Sequence, residues 1–157
     1  MDQALALIAE AKRTRATTLD LGNCGLTELP DLSGLPWLEE LILSNWWEEY
    51  DLEKDEWTDQ KSQNIGVFNS IVSLTGIEGL SALKKLIIAQ QTYLSDLTPL
   101  KDLRQLHTIN CFGTQVSDLA PLKNLEQLQT IHCSGTEISD LAPLKNLEQL
   151  QTIHCSG

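Results

Sequence analysis

The chain is short of basic residues. It has 11 Lys and Arg against 22 Asp and Glu, a formal net charge of −11 over 157 residues. A surface that acidic repels phosphate backbones and anionic headgroups, so neither nucleic acid nor a membrane surface is expected as a partner. No apolar run approaches the roughly 20 residues that span a bilayer. The N-terminal stretch MDQALALIAEAKRTR has no basic residue ahead of its apolar positions and no obvious cleavage site, which argues against a secretory signal. The four cysteines contain no C-x-x-C, so neither a zinc knuckle nor a thioredoxin-like pair is supported. A hydrolase needs nucleophile, base and orienting group in one place. Ser134 and His132 are close in sequence, but one falls in a turn and the other on a strand, and nothing else converges on them. No enzyme activity, cofactor or metal site is expected.

What the chain does have is repetition. Residues 117–135, SDLAPLKNLEQLQTIHCSG, return letter for letter at 139–157. Looser copies precede them from Ser95 and from Ser73, and strand-like phrases surround Leu19-Asp20-Leu21 and Leu41-Ile42-Leu43. Aligned on the last apolar residue of each phrase, the anchors are Leu21, Leu43, Val67, Ile88, Cys111, Cys133 and Cys155. The period is about 22 residues, and Val67 fits it least well.

One unit reads as a strand, a turn and a tight return. In Leu128 to Cys133 the apolar residues alternate as on a strand with one buried face. Gly135 permits a positive-φ turn, Asp140 can cap the helical turn that follows, and Pro143 comes early enough in that turn to be tolerated. Leu141, Leu144, Leu147 and Leu150 then recur every third residue, which suits a 3₁₀ or irregular helical return. One unit cannot bury its leucines, but stacked units can. Cys111, Cys133 and Cys155 fall on one repeat position and read as a ladder of small buried hydrophobes, not a disulfide framework. With no secretory signal, this points to the reducing cytoplasm.

The motif L-x-x-L-x-L-x-x-N/C-x-L runs from Ala16 through Leu19, Leu21 and Cys24 to Leu26, and again from Leu128 through Ile131, Cys133 and Thr136 to Ile138. It resembles the leucine-rich repeat family, and the S-D-L-x-P-L phrase looks like the short bacterial class seen in internalins. The resemblance implies an α/β solenoid, a right-handed arc. Its concave side would be a parallel sheet of about seven short strands, and its convex side 3₁₀ or irregular helices. It also implies protein binding as the usual work. Residues 1–15 are expected to form a capping helix, with Leu5, Ile8 and Ala9 on one face, and residues 16–157 the repeats, with no C-terminal cap. That uncapped end leads us to expect a truncated part of a larger bacterial protein, able to self-associate end to end. The segment from Ala4 to Leu32 also looks like the start of repeat regions in bacterial Roco-type GTPases. This suggests a regulatory or dimerisation segment, although the chain has no phosphate-binding loop of its own. A self-associating structural or engineered block is the third reading.

Two surfaces are candidates for a protein partner. The concave row carries Ile42, Ile87, Asn110, His132 and His154, flanked by Lys85, His107, Gln129 and Gln151. A lattice of adaptable polar groups around two isoleucines suits an interface, and a merely solvated face is the alternative. The second is the irregular acidic stretch 45–64, expected on the convex side, with Trp46, Trp47, Tyr50 and Trp57. Its aromatics either fill the convex core or form a partner-binding bulge.

Overall fold

Apolar residues at Ala4, Ile8 and Ala11 give the first segment one buried stripe, and helix α1 (Asp2–Thr14) forms on it. Lys12 and Arg13 lie in its last turn, where the helix dipole favours cations. The buried stripe differs from the expected one: Leu5 and Ala9 are exposed and Ala4 and Ala11 are inside. The small residues let the helix sit close against the first strand. The computed structural model describes residues 2–51 and 53–156.

Six three-residue strands form one parallel sheet: β1 (Thr18–Asp20), β2 (Glu40–Ile42), β5 (Lys85–Ile87), β6 (Thr108–Asn110), β7 (Thr130–His132) and β8 (Thr152–His154). Each pairs in register with the next, so Leu19, Leu41, Leu86, Ile109, Ile131 and Ile153 form one row. The first five of that row are buried in the core. Their neighbours on either side therefore face outward. Cys111 and Cys133, two residues beyond the row, are buried as well.

The returns are as tight as the leucine spacing implies. Three 3₁₀ turns, Thr98–Leu100, Ala120–Leu122 and Ala142–Leu144, stack along the other side, each with proline in its first turn. Asp96, Asp118 and Asp140 each accept the backbone N–H two residues ahead, at 2.8, 2.7 and 2.8 Å. Each aspartate sits one position ahead of the residue that caps its turn. Leucines such as Leu103, Leu106, Leu125 and Leu128 are completely or almost completely buried between the layers. Burying one such side chain stabilises by about 1.5–3 kcal/mol, and only stacked neighbours can supply the cover.

Among the described residues the sheet has six strands. Val67 is not a strand anchor: it makes one isolated bridge to Cys24 and is 74% exposed. The period is interrupted by an insertion after Leu43. Asn69 stands 26 positions beyond Leu43, yet takes the place that Cys24 holds in the previous unit. Its side chain accepts the Leu26 N–H at 2.9 Å and donates to the carbonyls of Leu21 and Leu43, both at 2.8 Å. One buried amide thus joins consecutive turns of the solenoid across the interruption.

The insertion also corrects the placement of segment 45–64. It forms an antiparallel hairpin of β3 (Trp46–Asp51) and β4 (Glu56–Lys61). This hairpin lies over the outer face of the parallel sheet, not on the convex side. Asp20 fixes its return, accepting from Ser62 Oγ at 2.8 Å and from the Gln63 N–H at 2.9 Å. Gly22 is required at this crossing, because a Cβ there would stand 2.2 Å from the Ser44 carbonyl oxygen.

Candidate partner-binding surface

The two surfaces read as alternatives from the sequence are in contact with each other. Trp47 of β3 is 5% exposed and packs with Ile42, Ile87 and Ala89 in a small second core. Ile42 and Ile87 are therefore covered by the chain itself and are not an open anchor patch. Asn110 Nδ2 donates to the Glu48 carbonyl at 2.7 Å, fastening β3 to β6. Lys85 Nζ reaches Glu49 Oε1 at 2.5 Å and Glu40 Oε1 at 3.3 Å. Burial disfavours the Lys85 charge, but the two carboxylates outweigh it and leave its pKa above the ordinary lysine value.

The duplicated histidines are roofed in the same way. Trp57 of β4 lies 4.5 Å from both His132 and His154, measured between ring centroids. His132 is 1% exposed, and His154 is half-buried. Both ring nitrogens of His132 and Nδ1 of His154 are buried without a hydrogen-bond partner among the described residues. Burial, then the neighbouring His154, pushes the His132 pKa down to about 4. No group of three or more potential metal ligands occurs among the described residues.

Of the flanking residues, His107 is half-buried with Nδ1 hydrogen-bonded to the Gln105 carbonyl, Gln129 is half-buried, and Gln151 is exposed. Between hairpin and sheet a cavity of about 210 Å³ remains, lined by Glu48, Tyr50, Trp57, Thr130 and His132 among others. Tyr50 and Trp57 meet at 5.3 Å across the hairpin.

A second feature escaped the sequence reading. The segment that leaves the hairpin carries Ile65, Val67 and Phe68 at 93%, 74% and 69% exposure. Ile65 and Phe68 line one shallow groove with Trp46, which is 38% exposed, and with the polar residues Asn45 and Lys61. The cluster I-G-V-F lies outside the leucine rhythm, and its Val67 falls where the period calls for a strand.

The parallel ladder, the 3₁₀ returns and the leucine interior decide the architecture. The fold is that of leucine-rich repeat solenoids. Residues 104–146 match the family described as leucine-rich repeats, two copies. No curated protein matches the sequence. Among solved structures, internalin C2 of Listeria monocytogenes is 29% identical with a TM-score of 0.70, over 96% of this chain and 56% of that one. A leucine-rich repeat protein of Leptospira interrogans has a TM-score of 0.67 at 18% identity, over 95% of this chain and 34% of that one. The functional domain of InlJ from Listeria monocytogenes, described as including a cysteine ladder, has a TM-score of 0.50 at 23% identity, over 90% of this chain and 32% of its own. This repeat chain spans about half the length of the internalin C2 structure.

The cysteines of the solenoid differ from their expected state. Cys133 and Cys155 form a disulfide, with Cα atoms 4.7 Å apart, whereas Cys24 and Cys111 are free and buried. In-register pairing of β7 and β8 brings the same repeat position of two turns together. That proximity was already implied by the ladder, but the sequence reading gave it to packing alone.

Proposed function

We propose that this chain is a non-enzymatic protein-recognition module, acting as a segment of a longer bacterial protein. Its contact surface is the hairpin together with the apolar groove beside it. The observation that carries this reading is the exposure of Ile65 and Phe68 beside Trp46 in one groove. Large apolar side chains gathered on a polar surface are characteristic of contact sites, and an aromatic is a frequent energetic anchor. The mechanism is rigid presentation. The solenoid holds the hairpin through Trp47, Asn110 and Lys85, so a partner meets a surface already ordered and loses little entropy on docking. The outer face of the sheet contributes through the flanking residues, half-buried His107 and Gln129 and exposed Gln151, and not through its isoleucines.

The test places a photo-crosslinking residue at Val72, which is exposed and four residues along the chain from Phe68, in the native cell. A partner should be captured by the native surface and lost with Ile65→Ser and Phe68→Ser together, while circular dichroism stays unchanged. Capture that survives the double substitution sinks the reading.

A further inference from the structure

We infer that the tip of the hairpin is an acid-sensitive strap: protonation of His132 beneath Trp57 releases residues 50–57 from β7 and β8, while the root of the hairpin stays in place. The inference goes beyond the recognition reading. The groove of that reading lies at the root, beside Trp46 and Lys61, and the strap lies at the opposite end.

The two ends of the hairpin are fastened differently. The root is held by Trp47 against Ile42 and Ile87, by Asn110 on the Glu48 carbonyl, by Lys85 on Glu49 and by Ser62 on Asp20. Among the described residues, no hydrogen bond or ion pair joins residues 50–57 to the sheet. The bond from Tyr50 to Asp55 and the ion pair of Lys54 with Asp51 both close within the tip. What holds the tip down is half-buried Trp57, set against His132 and His154 with planes tilted by 49° and 39°. Two such aromatic contacts favour the closed tip by roughly 5- to 150-fold.

The closed tip makes no provision for a proton on His132. Both ring nitrogens are buried and unpartnered. A protonated ring has two N–H donors and no acceptor, and its charge would face the stacked His154 ring, not a carboxylate. The other titratable groups around it are Glu48, Glu49 and Tyr50 of β3 and Lys85 of β5, which line the same cavity. Glu49 is held by Lys85, and Tyr50 donates to Asp55. Of Glu48, the backbone favours a charged His132, as the smallest of the three influences on that ring. From β4 the ring meets only the uncharged Trp57 indole.

Lifting the tip gives the imidazole to water, where it takes up a proton near pH 6.5. Under the closed tip it does so only at about pH 4. Each pH unit below 6.5 therefore moves the balance toward the open tip about tenfold, to a total of about 300-fold near pH 4. That total exceeds the hold of Trp57, so the tip lifts before the limit is reached. The raised tip frees the sheet surface at Thr130, His132, Thr152 and His154, which lies beneath Tyr50 and Trp57 in the closed form.

The experiment follows NOE contacts in the full chain by NMR as the pH is lowered from about 7 to about 4. Contacts from the Trp57 indole to the His132 and His154 rings should disappear with a midpoint between those limits, while contacts from Trp47 to Ile42 and Ile87 persist. His132→Phe keeps a ring beneath Trp57 without the proton site, and its Trp57 contacts should survive the whole range. Trp57→Ala removes the roof at neutral pH and should bring the titration of His132 back toward pH 6.5. It decides the matter should His132→Phe fail to fold. Trp57 contacts that survive to the acid limit in the native chain overturn the inference, as does loss of the Trp57 and Trp47 contacts together. So does opening of His132→Phe at the same pH, or an unchanged His132 titration in Trp57→Ala. Crosslinking beside the Ile65–Phe68 groove tests the recognition reading independently of all these outcomes.

Discussion

The imidazoles of His132 and His154 stack with centroids 4.6 Å apart and planes 13° from parallel. They are the same letter of an exactly duplicated phrase, brought together by register, with Trp57 and Phe112 packed on the His132 ring. Glu48, Glu49 and Lys85 line the same cavity, and of these only the Glu48 backbone favours the charged ring, as the smallest of the three influences on it. Burial and the His154 neighbour hold the His132 pKa at about 4. The folded chain thus stays neutral at this ring where the unfolded chain takes up a proton, near pH 6.5. Stability from this site is complete above that value and is lost as pH falls from 6.5 toward 4, by up to about 3 kcal/mol. Urea midpoints measured from pH 7 to pH 4.5 should fall more steeply for the native chain than for His132→Phe. Parallel curves would remove His132 as the cause.

The adjacent tryptophans Trp46 and Trp47 do different work. Trp47 is enclosed with Ile42, Ile87 and Ala89, so Trp47→Ala leaves a cavity at the root of the hairpin and should cost about 3–5 kcal/mol. Trp46 is partly open and touches Phe112 at 6.0 Å. Trp46→Ala should cost less than about 1 kcal/mol while weakening capture of the partner. Urea denaturation separates the two, and equal losses would contradict this division.

The repeat period made the sheet and its leucine interior legible, because each unit's apolar positions have only one place to go once units stack. It also placed Asp20, Ile42, Ile87, Asn110, His132 and His154 on one outward row. It could not show that the row is covered. Hairpin β3–β4 pairs Trp47 with Gln60 and Tyr50 with Trp57, and this antiparallel register has no echo in the leucine rhythm. Docking the hairpin on the outer face depends on Trp47 finding two isoleucines from different turns. That contact is non-local and leaves no spacing to read. The false anchor at Val67 has the same origin: the insertion is close to one period long, so an in-phase apolar residue fell where a strand was due.

Asn69 offers a sharper test of that interruption than any residue in the hairpin. Its amide is buried and makes three hydrogen bonds to backbone groups of two turns. Asn69→Leu leaves the Leu26 N–H and the Leu21 carbonyl without that partner, while the Leu43 carbonyl keeps Gln91 Nε2 at 3.2 Å. An unsatisfied buried group costs about 1–3 kcal/mol, so a loss of several kcal/mol is expected. Hydrogen exchange at the Leu26 amide should accelerate in the variant beyond what global destabilisation explains. Unchanged protection there would show that the solenoid closes over the insertion by other means.

The cysteine ladder yields a count. With Cys133 bonded to Cys155, a denatured and unreduced sample should titrate two thiols, Cys24 and Cys111, and a reduced sample four. Cys111 is fully buried, and burial pushes its thiol pKa up to about 12, so in the folded state it should resist alkylation at neutral pH. Cys24, also raised by burial, should react slowly as well. The bond closes a loop of 22 residues, and closing a loop of that size stabilises by about 3 kcal/mol when native geometry is not strained. Reduction should therefore lower the urea midpoint, and Cys155→Ser should lower it by the same amount while making the chain indifferent to reductant. Four titratable thiols in the untreated denatured protein would mean that β7 and β8 are held by the backbone ladder and leucine packing alone.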